Sequence, residues 1–179
     1  MRETAADLVR LQELLDLSMA RAGVHLRRIV TPERRLEAAE VCRRLDGMCL
    51  LALATVTATG RPLVSPVDGI FYRGAFHFGS APDSVKYRHL RARPQVSASH
   101  LPGEHFAVTV HGTAAAVDVR APAQAGFRRT LLDVYVPRYG PSWEDFLDAE
   151  AVYWRIDAAR MIVFAMDPDA TPAGSAGGA

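Results

Sequence analysis

Residues 51–90 read LALATVTATGRPLVSPVDGIFYRGAFHFGSAPDSVKYRHL. Three apolar runs are punctuated here by short turns, and the pattern then changes period. Leu50 to Val56, Pro62 to Tyr72 and Ala75 to Phe78 read as strands rich in β-branched and aromatic side chains. The turns at Thr59-Gly60 and Arg73-Gly74 are short enough for hairpins. From about Pro82 to Ala92 the spacing predicts one helix, stopped by Pro94.

Outward from this core, Gln95 to His100 and His105 to Val117 read as two further strands. AVYWRI and MIVFAM, near the C-terminus, supply a final strand or a bent pair. Phe127, Leu131 and Val134 mark a helix after the fifth strand, and SWEDFLDAE suits a short one. Upstream, Leu8, Leu11 and Leu15 recur at helical spacing between Glu3 and Arg21. Thr31 as cap and Pro32 at the first position predict a second helix with Ala38, Val41, Cys42 and Leu45 on one face, ending near Gly47.

Five or six antiparallel strands in so short a chain leave fewest exposed edges when they close into a small barrel. The expected class is α+β, mainly β with flanking helices. Ala52, Ala54, Ser97, Ala98, Ala107 and Ala114 to Ala116 suit a tightly curved interior. The organisation expected is a helical extension over residues 1–30, a barrel over 31–166, and a disordered Pro/Gly-rich tail over 167–179.

Composition bounds the partners. The 179 residues are 49% hydrophobic and 23% charged, as in an ordinary globular domain, and the formal net charge is +1. No global field draws the chain to nucleic acid or to a membrane. Cys42 and Cys49 fit neither a disulfide framework nor a zinc knuckle. Met1 opens a charged helical pattern, and no apolar stretch approaches the ~18 residues of a membrane span. A soluble cytoplasmic protein is the expectation.

The turn SAPDSVK, Ser80 to Lys86, carries the chemistry. Ser80 as cap, Pro82 in the first turn and Asp83 at the third position would form a capping box. Ser84 and Lys86 exceed what a cap requires. A helix N-terminus presents unpaired N–H groups, and adding two hydroxyls and a cation makes a cradle for phosphate.

The stretch from LALATV through GRPLVSPV, the Phe-rich third strand, Ser-x-Lys and LRARPQVS resembles the pyridoxamine 5'-phosphate oxidase-like, flavin-binding split-barrel family. The resemblance covers about Ala38 to Met166. It implies a six-stranded antiparallel split barrel, a homodimer, and FMN or a deazaflavin (coenzyme F-420) in clefts between subunits. In that picture Lys86, Ser80 and Ser84 hold the cofactor phosphate, Ser65, Pro66 and Val67 lie beside the ring system, and Arg61 reaches phosphate or ribityl. The implied function is hydride or electron transfer between FMN and a small organic substrate. An F-420-dependent reductase is the alternative, and a non-catalytic flavin- or heme-binding protein the second.

Two departures count against pyridoxamine phosphate itself as substrate. PLVSPV lacks the arginine that vitamin-oxidising members carry in this strand, and no arginine-and-histidine substrate motif stands near AVYWRID.

The six histidines show no helical pair with zinc spacing. His105 and His111 are six apart on a strand, about 20 Å, and no histidine is singled out as a heme ligand. The basic run KYRHLRAR lacks the interleaved aromatics of a base-stacking surface. Tyr135, Tyr139, Trp143 and Trp154 either pack in the core or a dimer contact, or one of them lines the substrate side of the cleft; Trp154 suits the core, and Trp143 is left open between the two.

Overall fold

Six strands close into one antiparallel barrel in the computed structural model, which describes residues 2–149 and 151–166. The strands are β1 (Met48–Val56), β2 (Pro62–Tyr72), β3 (Ala75–Ser80), β4 (Gln95–Gly103), β5 (Phe106–Val117) and β6 (Val152–Ala165). Their order round the barrel is β1-β2-β3-β6-β5-β4, and β4 pairs back onto β1. Closure leaves no full strand edge to solvent. The expected tail, residues 167–179, lies outside the described residues.

Alternation along the strands decides what fills the barrel. On β1, Cys49, Leu51, Leu53 and Thr55 are buried while Leu50 and Ala52 are exposed. Leu51, Leu53, Phe76, Phe78, Val108, Val110 and Ile156 belong to one continuous core. At the β2–β3 hairpin, Arg73 (φ 50°) and Gly74 (φ 81°) both take left-handed backbone, the geometry whose twist matches two antiparallel strands. That turn pins Tyr72 opposite Ala75 and sends alternate aromatics inward.

Two expectations are corrected, and one alternative left open is decided. The small side chains do not line the interior as a set: Ala98 and Ala114 are buried, but Ala52 and Ala116 are exposed and Ala54, Ser97, Ala107 and Ala115 half-buried. The barrel is filled instead by large side chains. AVYWRI and MIVFAM are one continuous strand, whose bend appears as a register shift against β5 between His111 and Gly112. The helix expected from Thr31 to Gly47 is broken. Thr31 makes no side-chain cap, Pro32–Arg34 form a single 3-10 turn, and Arg35 is extended. The Ala38 N–H then bonds Gln12 Oε1 at 2.8 Å, so the tertiary contact, not the sequence cap, sets where α3 (Ala38–Arg44) begins.

The N-terminal segment is stitched to the barrel. α1 (Ala5–Ala20) starts in a Thr4–Asp7 capping box and buries Leu11 and Leu15 in the barrel core. Ser18 Oγ accepts the Met161 N–H of β6 at 2.9 Å in a buried position. α2 (Val24–Ile29) links α1 to the 3-10 turn and buries none of its residues. α4 (Val85–Ala92) follows β3. α5 (Ala125–Tyr139) and α6 (Trp143–Ala149) pack Phe127, Leu131, Tyr135 and Leu147 against Ile70, Tyr72 and Tyr153 on the outside of the barrel.

Beneath α5, His77 is 4% exposed, its ring 4.3 Å from that of Phe127. Its Nδ1–H donates to the Ala75 carbonyl at 3.1 Å. Burial is the main cause that lowers its pKa from 6.5 to about 4. The folded state therefore holds the ring neutral, while the unfolded chain takes up a proton as pH falls below 6.5. Stability from this residue is complete above pH 6.5 and is lost progressively down to about pH 4, by roughly 3 kcal/mol. Urea titrations at pH 7.5 and 4.5 should show this loss, and His77→Phe should flatten it.

Candidate cofactor cleft

A cleft of about 640 Å³ lies between β2, the end of β3 with the start of α4, and the α5–α6 pair. Its volume falls within the range of small-molecule sites. One end is polar and cationic, the middle is strand backbone, and the far wall is aromatic.

The polar end is built by the turn after β3. Ser84, not Ser80, caps α4: Ser84 Oγ accepts the Tyr87 N–H at 3.0 Å. Ser80 Oγ and Ser84 Oγ are hydrogen-bonded at 2.8 Å. The helix starts at Val85 rather than near Pro82, because Ala81 to Ser84 close a separate turn with the Ser84 N–H on the Ala81 carbonyl at 3.1 Å. That shift places Lys86 at the second helical position. Its ammonium is half-buried, and desolvation lowers its pKa. Among the described residues, no acidic side chain pairs with it. A partly desolvated cation with no counter-ion, beside a hydroxyl, is a site that gains by accepting an anion.

Of the residues singled out in the sequence, Lys86, Ser80, Pro66 and Val67 line this one cleft. Ser84 does not line it but supports Ser80 through the hydrogen bond. Ser65 lies half-buried on the strand face shared with Val67, outside the lining set. Arg61 lies in the β1–β2 turn, where its N–H bonds Thr57 Oγ1 at 2.9 Å. Five residues along an extended strand separate it from Pro66, about 17 Å, and the cleft of this chain does not include it.

Of the four rings weighed in the sequence as core or cleft, Tyr135, Tyr139 and Trp143 line the far wall, and Trp154 is buried in the core. Tyr135 stacks on Trp143 with ring centres 4.6 Å apart and on Tyr139 at 6.0 Å. Phe146 and Tyr153 complete this side, and Asp68 faces it from β2. Tyr135 and Tyr139 lie four apart on one face of α5, and Trp143 opens α6 beside them. Pro137 is tolerated in the last turn of α5, and Gly140 (φ 89°) ends the helix. Arg128 of α5 holds α6 in place, bonding Glu144 at 2.9 Å and Asp148 at 2.5 Å. The Tyr135 and Tyr153 hydroxyls have raised pKa values, through burial first and the nearby Asp68 carboxylate as a further cause.

Other readings of the sequence find no support. Among the described residues, no group of three or more His, Cys, Asp or Glu stands close enough to hold a metal. No described helix is long and apolar enough to cross a membrane. Burial pushes the Cys42 thiol up to about 12 and the Cys49 thiol to about 11, so both are inert core groups near neutrality.

A closed six-stranded antiparallel barrel, with a Ser/Lys turn and a cleft against its outer strands, defines a split-barrel protein. Residues 40–162 match the family model of pyridoxamine 5'-phosphate oxidase, and the chain belongs to that split-barrel superfamily. Solved structures of similar fold include a conserved hypothetical protein from Mycobacterium tuberculosis (22% identity, 83% of this chain and 96% of that one, TM-score 0.65). The heme storage protein HutZ from Vibrio cholerae is also similar (21% identity, 72% and 92%, TM-score 0.54). So is a FAD-binding protein from Mesorhizobium loti (23% identity, 70% and 90%, TM-score 0.54). No curated protein matches the chain in sequence.

Proposed function

We propose that this protein is an FMN-dependent oxidoreductase acting on a small organic substrate. The observation that carries the reading is Lys86: a half-buried ammonium with no ion-pair partner among the described residues, lining with Ser80 the polar end of a cleft whose far wall is aromatic. Those residues fit a flavin phosphate and, beyond it, a flat ring. The deazaflavin F-420 makes a similar phosphate demand and is the competing cofactor.

When bound, the flavin supplies the centre that accepts and donates hydride. The residues of the chain bind and orient. Lys86 and Ser80 anchor the phosphate, and Ser84 fixes the Ser80 hydroxyl. Pro66 and Val67 support the ring edge from β2, and α6 closes water out of the far side. Among the described residues no histidine lines the cleft, so the lining offers no imidazole to a heme.

The cofactor-loaded protein, reduced anaerobically, tests the enzymatic part. Reoxidation by small acceptors such as quinones and nitroaromatics should outpace that of free reduced FMN. Rates equal to free FMN across the panel would make the protein a flavin carrier instead.

The active unit is a homodimer. Leu50, Val64 and Leu101 are 58%, 67% and 62% exposed on the adjoining strands β1, β2 and β4. Small Ala52, Ala54 and Ser97 lie between them. Exposed apolar side chains on three adjoining strands, with small residues between them, suit a close sheet-to-sheet contact with a second copy. Val64→Glu should shift sedimentation from dimer to monomer and weaken FMN binding. A monomeric wild type would contradict the arrangement.

A further inference from the structure

The cleft holds more than a phosphate end and a ring platform. Its charged lining groups are Asp68, Asp83 and Lys86. Lys86 and Asp83 sit together on the turn at the phosphate end. Asp68 stands apart, on β2 opposite Leu50, facing the aromatic wall of α5 and α6. Among the described residues, the Asp68 carboxylate makes no hydrogen bond and no ion pair. Two of the rings across from it, Tyr139 and Phe146, pack on Tyr135 and Trp143 yet remain 54% and 46% exposed.

A half-buried carboxylate facing electron-rich rings is the combination that recognises positive charge. The carboxylate attracts the cation directly, and aromatic faces do so through their quadrupole while shedding little water. The neighbouring hydroxyls fit the same picture: Tyr135 and Tyr153 are both held protonated by burial and by the nearby carboxylate, so they add no competing negative charge. The inference rests on the cofactor reading in one respect. With a phosphate paired to Lys86, the lining charge that remains is acidic.

We infer that the substrate end of this cleft takes an organic cation, an amine or charged nitrogen heterocycle carrying an apolar or aromatic body, with Asp68 as its counter-ion and the Tyr139–Trp143–Phe146 wall as its seat.

The test compares benzylammonium, benzyl alcohol and benzoate, three probes of nearly equal shape and different charge, by calorimetric titration of the wild type. Benzylammonium should bind about ten- to a hundredfold more tightly than benzyl alcohol, the worth of a charge-assisted bond in a partly desolvated site. Asp68→Asn should erase that preference while leaving benzyl alcohol unchanged, and Asp68→Glu should restore much of it. Circular dichroism of each variant checks that the barrel is intact. The series is then repeated with FMN added, where the preference should hold or grow. Equal binding of cation and alcohol, tighter binding of benzoate in the FMN-loaded protein, or a preference that survives Asp68→Asn would overturn the inference. Failure of the cofactor reading shows separately, as no change in FMN fluorescence, and the comparison of cation with alcohol on the bare protein still decides this one.

Discussion

Lys86→Ala is expected to weaken FMN binding by about 1.5–3 kcal/mol, a ten- to hundredfold rise in Kd, with the unfolding midpoint of the cofactor-free protein unchanged or slightly raised. The size follows from what the residue lacks as well as what it offers. Folding already strips part of the water from the ammonium, as its lowered pKa records, and no described carboxylate compensates it. The cost is carried by the free protein and recovered when an anion arrives. Removing the amine therefore removes the anchor without breaking an existing contact, so the fold should not suffer. Lys86→Arg should keep most of the affinity. Ser80→Ala should cost less than Lys86→Ala, because a neutral hydroxyl makes a weaker bond to phosphate than a cation does. Fluorescence titration of each variant gives the order, and an unchanged Kd for Lys86→Ala would place the phosphate elsewhere.

Gly112→Ala should produce the largest loss of stability of any conservative change in the barrel, on the order of 2–4 kcal/mol. At Gly112 the β5–β6 pairing shifts: His111 faces Arg160 but Gly112 faces Ala158, so Ala159 is the extra residue of the bulge. A Cβ there would stand 2.2 Å from the Asp157 carbonyl oxygen and 3.0 Å from the Ala158 Cα. These are backbone atoms of the facing strand, and they can retreat only by opening the ladder. Gly69 offers an instructive contrast. Its added Cβ would meet Leu51 Cδ1 at 2.5 Å and Cγ at 2.7 Å, side-chain atoms, with the nearest backbone atom, the Cys49 carbonyl oxygen, at 3.0 Å rather than 2.2 Å. Gly69→Ala should cost less than Gly112→Ala. Urea denaturation at pH 7.5 compares the two, and a Gly112→Ala barrel within about 0.5 kcal/mol of the wild type, the scatter of ordinary surface changes, would contradict the bulge account.

The barrel was readable because its signals are local. Pro62 to Tyr72 emerges as β2 with the expected bounds, and the Arg73-Gly74 turn adopts the conformation that two-residue hairpins favour. Errors arose where distant residues decide. The Thr31-Pro32 start signal was overridden because Gln12, from another helix, supplies the partner of the Ala38 N–H. Small residues such as Ala52 and Ala54 were assigned inward on size alone, although strand alternation from buried Leu51 and Leu53 places them outward.

The site divided in the same way. Its phosphate end is contiguous in sequence, so Ser80 and Lys86 could be read together, with only the cap misassigned between Ser80 and Ser84. Its other wall could be read only in part: Tyr135, Tyr139 and Trp143 stood out as candidate rings, and the carboxylate opposite them did not. Asp68 and Tyr139 are far apart in the chain and meet only because α5 and α6 fold back over β2 and β6. No local pattern announces such a meeting, and the four-residue aromatic spacing looks like packing until the carboxylate opposite is known.

The most direct test of the account is titration of the purified protein with FMN and, separately, with F-420, following cofactor fluorescence and the visible spectrum. The account predicts saturable quenching by FMN at one site per chain, with a Kd that rises at least tenfold in Lys86→Ala. Binding of neither flavin, or a Soret band on adding heme with no response to FMN, would contradict it.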